Sequence, residues 1–303
     1  MRTSPGSSVT DRKGLPARIK PKSSVSAVVA EHASRLGWHL LLLAVGAVVM
    51  VPFLWMVSTS LKNEGVARLY PPRLVPSPVK WDNYILVTTT FPFFRALFNS
   101  TKIAVAVILG QLFTCSLAAY AFVRMRFPGR TLLFMIILST MMIPGSVTII
   151  PVYLEMRALG WIDSHLPLVV PALFGGAFGT FVLRQQFMTI PKDYDHSAMM
   201  DGANDLQILF RILLPMSLPA LATIAVFTFL GSWNAFLAPL IFINDVRKMT
   251  LTLALTAFTM RMYNTPVTLL MAAAVINIAP ALSLYVIAQR YFIQSMILSG
   301  LKR

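Results

Sequence analysis

The chain has 303 residues, 56% of them apolar and only 12% charged, with 26 Lys and Arg against 11 Asp and Glu for a net charge of +15. Soluble domains carry about a quarter charged residues, so this composition cannot supply the polar surface that a soluble chain of this length needs. A nucleic-acid-binding role is excluded too, because the basic residues form no single face or stripe and no nucleic-acid motif occurs.

Residues 1–35 are rich in Ser, Lys, Arg and Pro and read as a disordered basic tail. The tail is too long and too polar for a signal-peptide start. After it come about six apolar runs, near 36–61, 97–123, 131–153, 166–187, 218–243 and 266–290. Each can cross roughly 30 Å of hydrocarbon as a helix of about 20 residues. Helices are the natural solution because each satisfies its own backbone in lipid. The expected fold is therefore all-α: a polytopic membrane helix bundle over 36–303. Pro144-Gly145, Gly175-Gly176, Pro239 and Pro280 mark bends, and Gly175 with Gly179 makes a GxxxG pair for close helix approach.

Orientation follows from the basic residues. The tail, the group Arg124, Arg126 and Arg130, the group Arg184, Lys192 and Arg211, and the end with Arg290, Lys302 and Arg303 share one side. The excess on that side places both termini in the cytoplasm. Cys115 lies in an apolar run and reads as a small core residue. The four histidines show no metal-ligand spacing, so no metal site is expected.

None of the acidic residues falls in the middle of a run. Ion-coupled carriers place a carboxylate in the membrane to bind the coupling ion, so that class is disfavoured. Paired carboxylates, HExxH and GxSxG are missing, and with them any catalytic set. No GxxxxGK[ST] phosphate loop occurs, so the chain is expected to hold no cofactor of its own.

Four acids cluster between the fourth and fifth runs, in a cytoplasmic loop at about 188–216. Pro191 can open a helix there, and Asp193 and Asp195 suit its positive end. Gly202 offers a turn to a second helix, which Pro215 ends. The expected product is a helix–turn–helix that can move two spans at once.

The stretch His196-Ser197-Ala198, two residues, then Asp201-Gly202-Ala203 and the distal Pro215 resembles the signature loop of binding-protein-dependent ABC importer permeases. The family form is EAA, two residues, DGA. Here the glutamate is replaced by His196, and Asp195 is the neighbouring candidate to substitute for it. Asn99-Ser100, Ala119 to Arg124, Phe127 to Arg130, Met142-Ile143-Pro144 and Trp233-Asn234-Ala235-Phe236 are similar to the carbohydrate, maltose-type branch.

The resemblance implies a coupling helix that docks on a separate cytoplasmic ATPase, with Asp195, His196, Ser197, Ala198, Asp201, Gly202, Ala203 and Pro215 as the coupling residues. It further implies two ATPase copies binding ATP and Mg, a homologous second permease subunit, and an extracytoplasmic solute-binding protein, in a bacterial or archaeal cytoplasmic membrane. The implied cargo is a sugar. The alternatives are another solute such as glycerol phosphate or a peptide, or an ion-coupled carrier. For the substrate pathway the candidates are Trp233, Asn234 and Asn277, whose amide and aromatic groups suit sugars. The competing reading is packing for Trp233 and interhelical hydrogen bonding for the two asparagines.

Overall fold

The computed structural model describes residues 25–90, 92–174, 176–261 and 266–300, and no strand occurs among them. The chain divides into two compact units, Met1–Phe53 and Leu54–Arg303. The described part of the first unit belongs to helix α1 (Val25–Ser60), whose large apolar side chains from Leu36 onward are exposed. The helix begins inside the stretch 1–35 that the sequence reads as a tail. Residues 25–35 hold three alanines and no Pro or Gly, and they are helical. The rest of that tail, 1–24, lies outside the described residues.

The second unit continues with α2 (Glu64–Ala67), α3 (Asp82–Thr90), α4 (Phe93–Arg124), α5 (Arg130–Thr140), α6 (Gly145–Ala158), α7 (Leu166–Phe174) and α8 (Ala177–Thr189). Then come α9 (Asp193–Met200), α10 (Asp205–Ile208), a π-helical turn (Leu209–Leu213), α11 (Leu214–Met216), α12 (Leu218–Trp233), α13 (Leu237–Phe242), α14 (Leu251–Arg261) and α15 (Val267–Gly300).

Four stretches among these are long and apolar enough to cross a bilayer: Ser34–Ser60, Phe93–Arg124, Leu166–Thr189 and Val267–Arg290. Two more qualify only as bent pairs. Helix α5 meets α6 at 98°, and Asp205–Met216 meets α12 at 82°. The expected number of about six is reached when each bent pair counts as one span. The third run, 131–153, is thus not one continuous helix. Pro144 sits at the bend with extended backbone (φ −63°, ψ 132°) and pushes the residue before it out of the helical region. The fifth run, 218–243, stops at Trp233, and only the short α13 follows a gap at 234–236.

The fourth span is interrupted around Gly176. A helix end leaves its last carbonyls unpaired, and in lipid the protein must satisfy them. Helix α4 does so from alongside. Gln111 Nε2 donates to Ala172 O at 3.1 Å, Thr114 Oγ1 to Leu173 O at 2.6 Å, and Cys115 Sγ to Gly176 O at 3.2 Å. Such close approach needs small residues. A Cβ on Gly176 would collide with the Cys115 sulfur, and one on Gly179 would lie 2.7 Å from it. Close approach is therefore seen at Gly179, while Gly175, the other member of the expected GxxxG pair, lies outside the described residues. Cys115 is buried, as its apolar setting suggested.

Two apolar cores flank this central region. One joins Ala119 and Tyr120 of α4, Leu183 and Phe187 of α8, Ile224 of α12 and, from the segment between α8 and α12, Ile208, Leu209 and Leu213. The other, at the opposite end, joins Phe93 and Ala96 to Trp233, Leu251, Phe258 and Ala272.

Candidate coupling site

The elbow between α8 and α12 has a defined internal architecture. Helix α9 begins at Asp193, two residues after Pro191, so the proline precedes the first turn rather than forming it. Its end is a Schellman closure. The Gly202 N–H donates to Met199 O at 3.0 Å and the Ala203 N–H to Ala198 O at 2.9 Å. Gly202 sits at φ +82°, the left-handed region where a side chain is strained. A Cβ there would touch nothing within 4 Å, so backbone conformation alone calls for glycine. Ala198 and Ala203 both pack on the same core. The spacing of Ala198, Asp201, Gly202 and Ala203 is therefore that of a helix cap with its hydrophobic contact.

The next helix starts with a reciprocal cap. Asn204 Oδ1 accepts the Gln207 N–H and Gln207 Oε1 accepts the Asn204 N–H, both at 2.9 Å. Pro215 does not end the helix outright. Its ring crowds the carbonyl four residues back, and the turn before it is widened to π geometry. The chain then stops at Met216 and turns by 82° into α12.

The elbow is tied to the end of α4 by two side chains. Arg124 Nε lies 2.5 Å from Asp195 Oδ2, with the two side chains only 8% and 7% exposed. The contact is ionic by distance without hydrogen-bond alignment, and Asp195 Oδ1 has no donor among the described residues. Arg124 also donates from Nη2 to Ile190 O at 3.1 Å. One turn earlier, Tyr120 Oη donates to Asp205 Oδ1 at 2.8 Å. Burial pushes the Asp195 carboxyl up from its ordinary value, against the opposing pull of Arg124, His196 and Lys192.

Asp195 thus faces inward, away from the position of an outward contact in place of the missing glutamate. His196, Ser197, Asp201, Gly202 and Pro215 are exposed, while Ala198 and Ala203 are half-buried. The outer face also shows Tyr194 and Met199 half-exposed and Met200 at 88% exposure. The site roles of Arg124, Tyr120, Asn204 and Gln207 do not figure in the sequence reading. Asn204 and Gln207 carry a legible cap spacing, whereas Arg124 and Tyr120 lie about seventy residues or more from their partners, and nothing in the sequence pairs them.

The three pathway candidates separate. Trp233 is buried, stacks on Phe229 with centroids 5.1 Å apart, and donates from Nε1 to Asn277 O at 3.0 Å. Its geometry is that of packing. Asn277 Oδ1 is buried with no partner among the described residues. Asn234 is exposed at the end of α12.

A bundle of interrupted apolar helices with a tethered elbow on one end defines a membrane transport subunit. Residues 111–298 match the family described as binding-protein-dependent transport system inner membrane component, and this chain belongs to that family. It is 30% identical over 254 residues to the diacetylchitobiose uptake system permease protein NgcG of Streptomyces coelicolor, covering 83% of this chain and 84% of that one. It is 31% identical to the sn-glycerol-3-phosphate transport system permease protein UgpE of Yersinia enterocolitica, covering 86% and 94%. In fold it is similar to a chain of a bacterial ABC transporter that imports the acidic polysaccharide alginate, with TM-score 0.75 and 24% identity over 90% of this chain and 99% of that one. The chain is an ABC importer permease subunit.

Proposed function

We propose that this permease forms half of a translocation path for a carbohydrate or a related small solute, with the elbow as the lever that a separate ATPase moves. ATP and Mg belong to that ATPase, present in two copies. A homologous second permease subunit supplies the other half of the path. An extracytoplasmic solute-binding protein delivers the cargo. The elbow and both termini lie on the cytoplasmic side of a bacterial or archaeal inner membrane. The relatives' names support the cargo class, since they specify diacetylchitobiose and glycerol phosphate uptake. A further structural relative at 15% identity is in complex with a sugar-bound periplasmic protein, which supports the delivery step.

One observation carries this reading. The elbow is fixed on its inner face and free on its outer one: Asp195, Ile208 and Leu209 are buried, while Met199 and Met200 stand exposed. A lever needs a stiff attachment to the moving helices and an open face for the motor. Elbow helix α9 presents Ser197 on that open face. In the assembled complex, a photo-crosslinker placed through Ser197→Cys should label the ATPase subunit, and Met200→Glu should abolish co-purification of that subunit. Labelling of lipid alone, or an ATPase that still binds the Met200→Glu complex, rejects the elbow as the docking site.

A further inference from the structure

Beside α4 lies a cavity of about 450 Å³ lined from α4, α7, α8, α12 and α13, within the range of small-ligand sites. Its walls include two of the places where apolar helices are interrupted. Ala172 lies in the last turns of α7, Ala235 lies in the gap after α12, and Pro239 lies in α13 just beyond it. Interrupted helices at membrane depth are tolerated where they line such a space.

The polar groups in the wall are incompletely used. Gln111, near the middle of α4, donates to Ala172 O and accepts the Thr228 Oγ1–H at 2.8 Å. One amide N–H and one carbonyl lone pair remain for a ligand. Thr250 is 4% exposed and its hydroxyl has no partner among the described residues, although it lines the same cavity. A buried hydroxyl without a partner is costly, so this one marks where a ligand group is expected. Phe178 and Phe227 add two apolar faces, with centroids 5.4 Å apart. Among the described residues, none lining the cavity is charged.

We infer that this cavity holds a neutral, hydroxyl-rich ring of the transported solute, so that this subunit itself touches the cargo. Hydroxyls meet Gln111 and Thr250, and the ring's C–H face meets the phenyl groups. An anionic solute is disfavoured because its charge would be buried without a countercharge. A lipid chain filling the space would leave the Thr250 hydroxyl as unsatisfied as it is now. The inference rests on the importer reading above and names its substrate class.

The test uses the whole complex in vesicles, with the second permease, the ATPase and the binding protein. Uptake of labelled neutral chito- and arabino-oligosaccharides, uptake of sn-glycerol 3-phosphate, and ATP hydrolysis are measured together. The wild type should import a neutral sugar. Gln111→Leu and Thr250→Val should each lower sugar imported per ATP hydrolysed by about tenfold, the loss of one ligand hydrogen bond. Thr250→Val is the sharper variant. Its hydroxyl has no partner among the described residues, so a purely structural role predicts an unchanged or higher melting temperature with normal uptake. Wild-type uptake per ATP in both variants overturns the inference, as does preferential import of glycerol phosphate. Failure of the importer reading shows separately, as a wild-type complex whose ATP hydrolysis the binding protein does not stimulate, and the inference then falls with it.

Discussion

The elbow end and the opposite end of the bundle each hold a long-range carboxylate–cation pair, built in contrasting ways. At the elbow, Asp195 and Arg124 are almost wholly buried. At the other end, Asp163 and Lys248 lie 2.8 Å apart with side chains 33% and 42% exposed. Their carboxyls shift in opposite directions. Burial raises that of Asp195. The Lys248 ammonium, then the Asp245 and Asn244 N–H groups, hold that of Asp163 down at about 2. The loop at 243–250 is otherwise held by hydrogen bonds. His165 Nε2 donates to Lys248 O, Asn99 donates to Arg247 O and Met249 O, and Leu251 N donates to Ser100 Oγ. A buried ion pair cannot part without stranding a charge in a dry site. The part-exposed Asp163–Lys248 pair can exchange its partners for water at small net cost, whereas the Leu251 N–Ser100 Oγ bond beside it is buried. The elbow tie is therefore stiff, as a lever's attachment must be, and the Asp163–Lys248 pair is a staple that can open.

The largest expected effect breaks the stiff tie. Arg124→Ala leaves Asp195 buried and unpaired, and should destabilise by about 3–5 kcal/mol, read from thermal unfolding of the purified complex. The double variant Arg124→Ala with Asp195→Ala should recover much of that loss, because the stranded charge goes with it. Equal melting temperatures for the single and double variants would show that the pair does not hold the elbow.

Next in size is the turn between the elbow helices. Gly202→Ala places a Cβ at φ +82° and should cost about 1 kcal/mol. Because space around it is open, Gly202→Asn should cost less than Gly202→Ala, since Asn tolerates the left-handed region. The reverse order would point to crowding rather than backbone conformation.

This contrast also explains what the sequence could and could not disclose. The cap at Gly202 is local: every atom of it lies within six residues, so the Asp201-Gly202-Ala203 spelling is readable without a fold. The apolar runs are equally local, and each overlaps one of the four long apolar helices or the two bent pairs. What stayed hidden depends on chain returning from far away. Arg124 reads as one of several basic loop residues until α9 brings Asp195 to it. Gly175-Gly176 signals a break in the fourth span, but nothing in the spelling says that Gln111, Thr114 and Cys115 will cap it. Asn99-Ser100 was legible only as part of a resemblance, and the fold gives the pair its role as donor and acceptor for residues 247–251. Asp195 likewise reads as a solvated charge on a polar loop until its facing partner Arg124 is known.

The smallest effect sharpens the comparison from the staple side. The native Asp163 carboxyl titrates at about 2, below the ordinary value of ~4. A lowered carboxyl contributes stability that is complete above the ordinary value and fades as pH falls through the native one. Asp163 Oδ1 accepts the Asn244 N–H at 3.0 Å and the Asp245 N–H at 2.9 Å. The hydrogen-exchange protection of those two amides should therefore hold steady down to about pH 4 and decline toward about pH 2. In Asp163→Asn the amide oxygen can still accept both N–H groups, but no charge draws Lys248, so protection should start lower and stay flat across the same window. Wild-type amides of Asn244 and Asp245 that keep full protection down to about pH 2 would show that the Asp163 charge does not hold this loop.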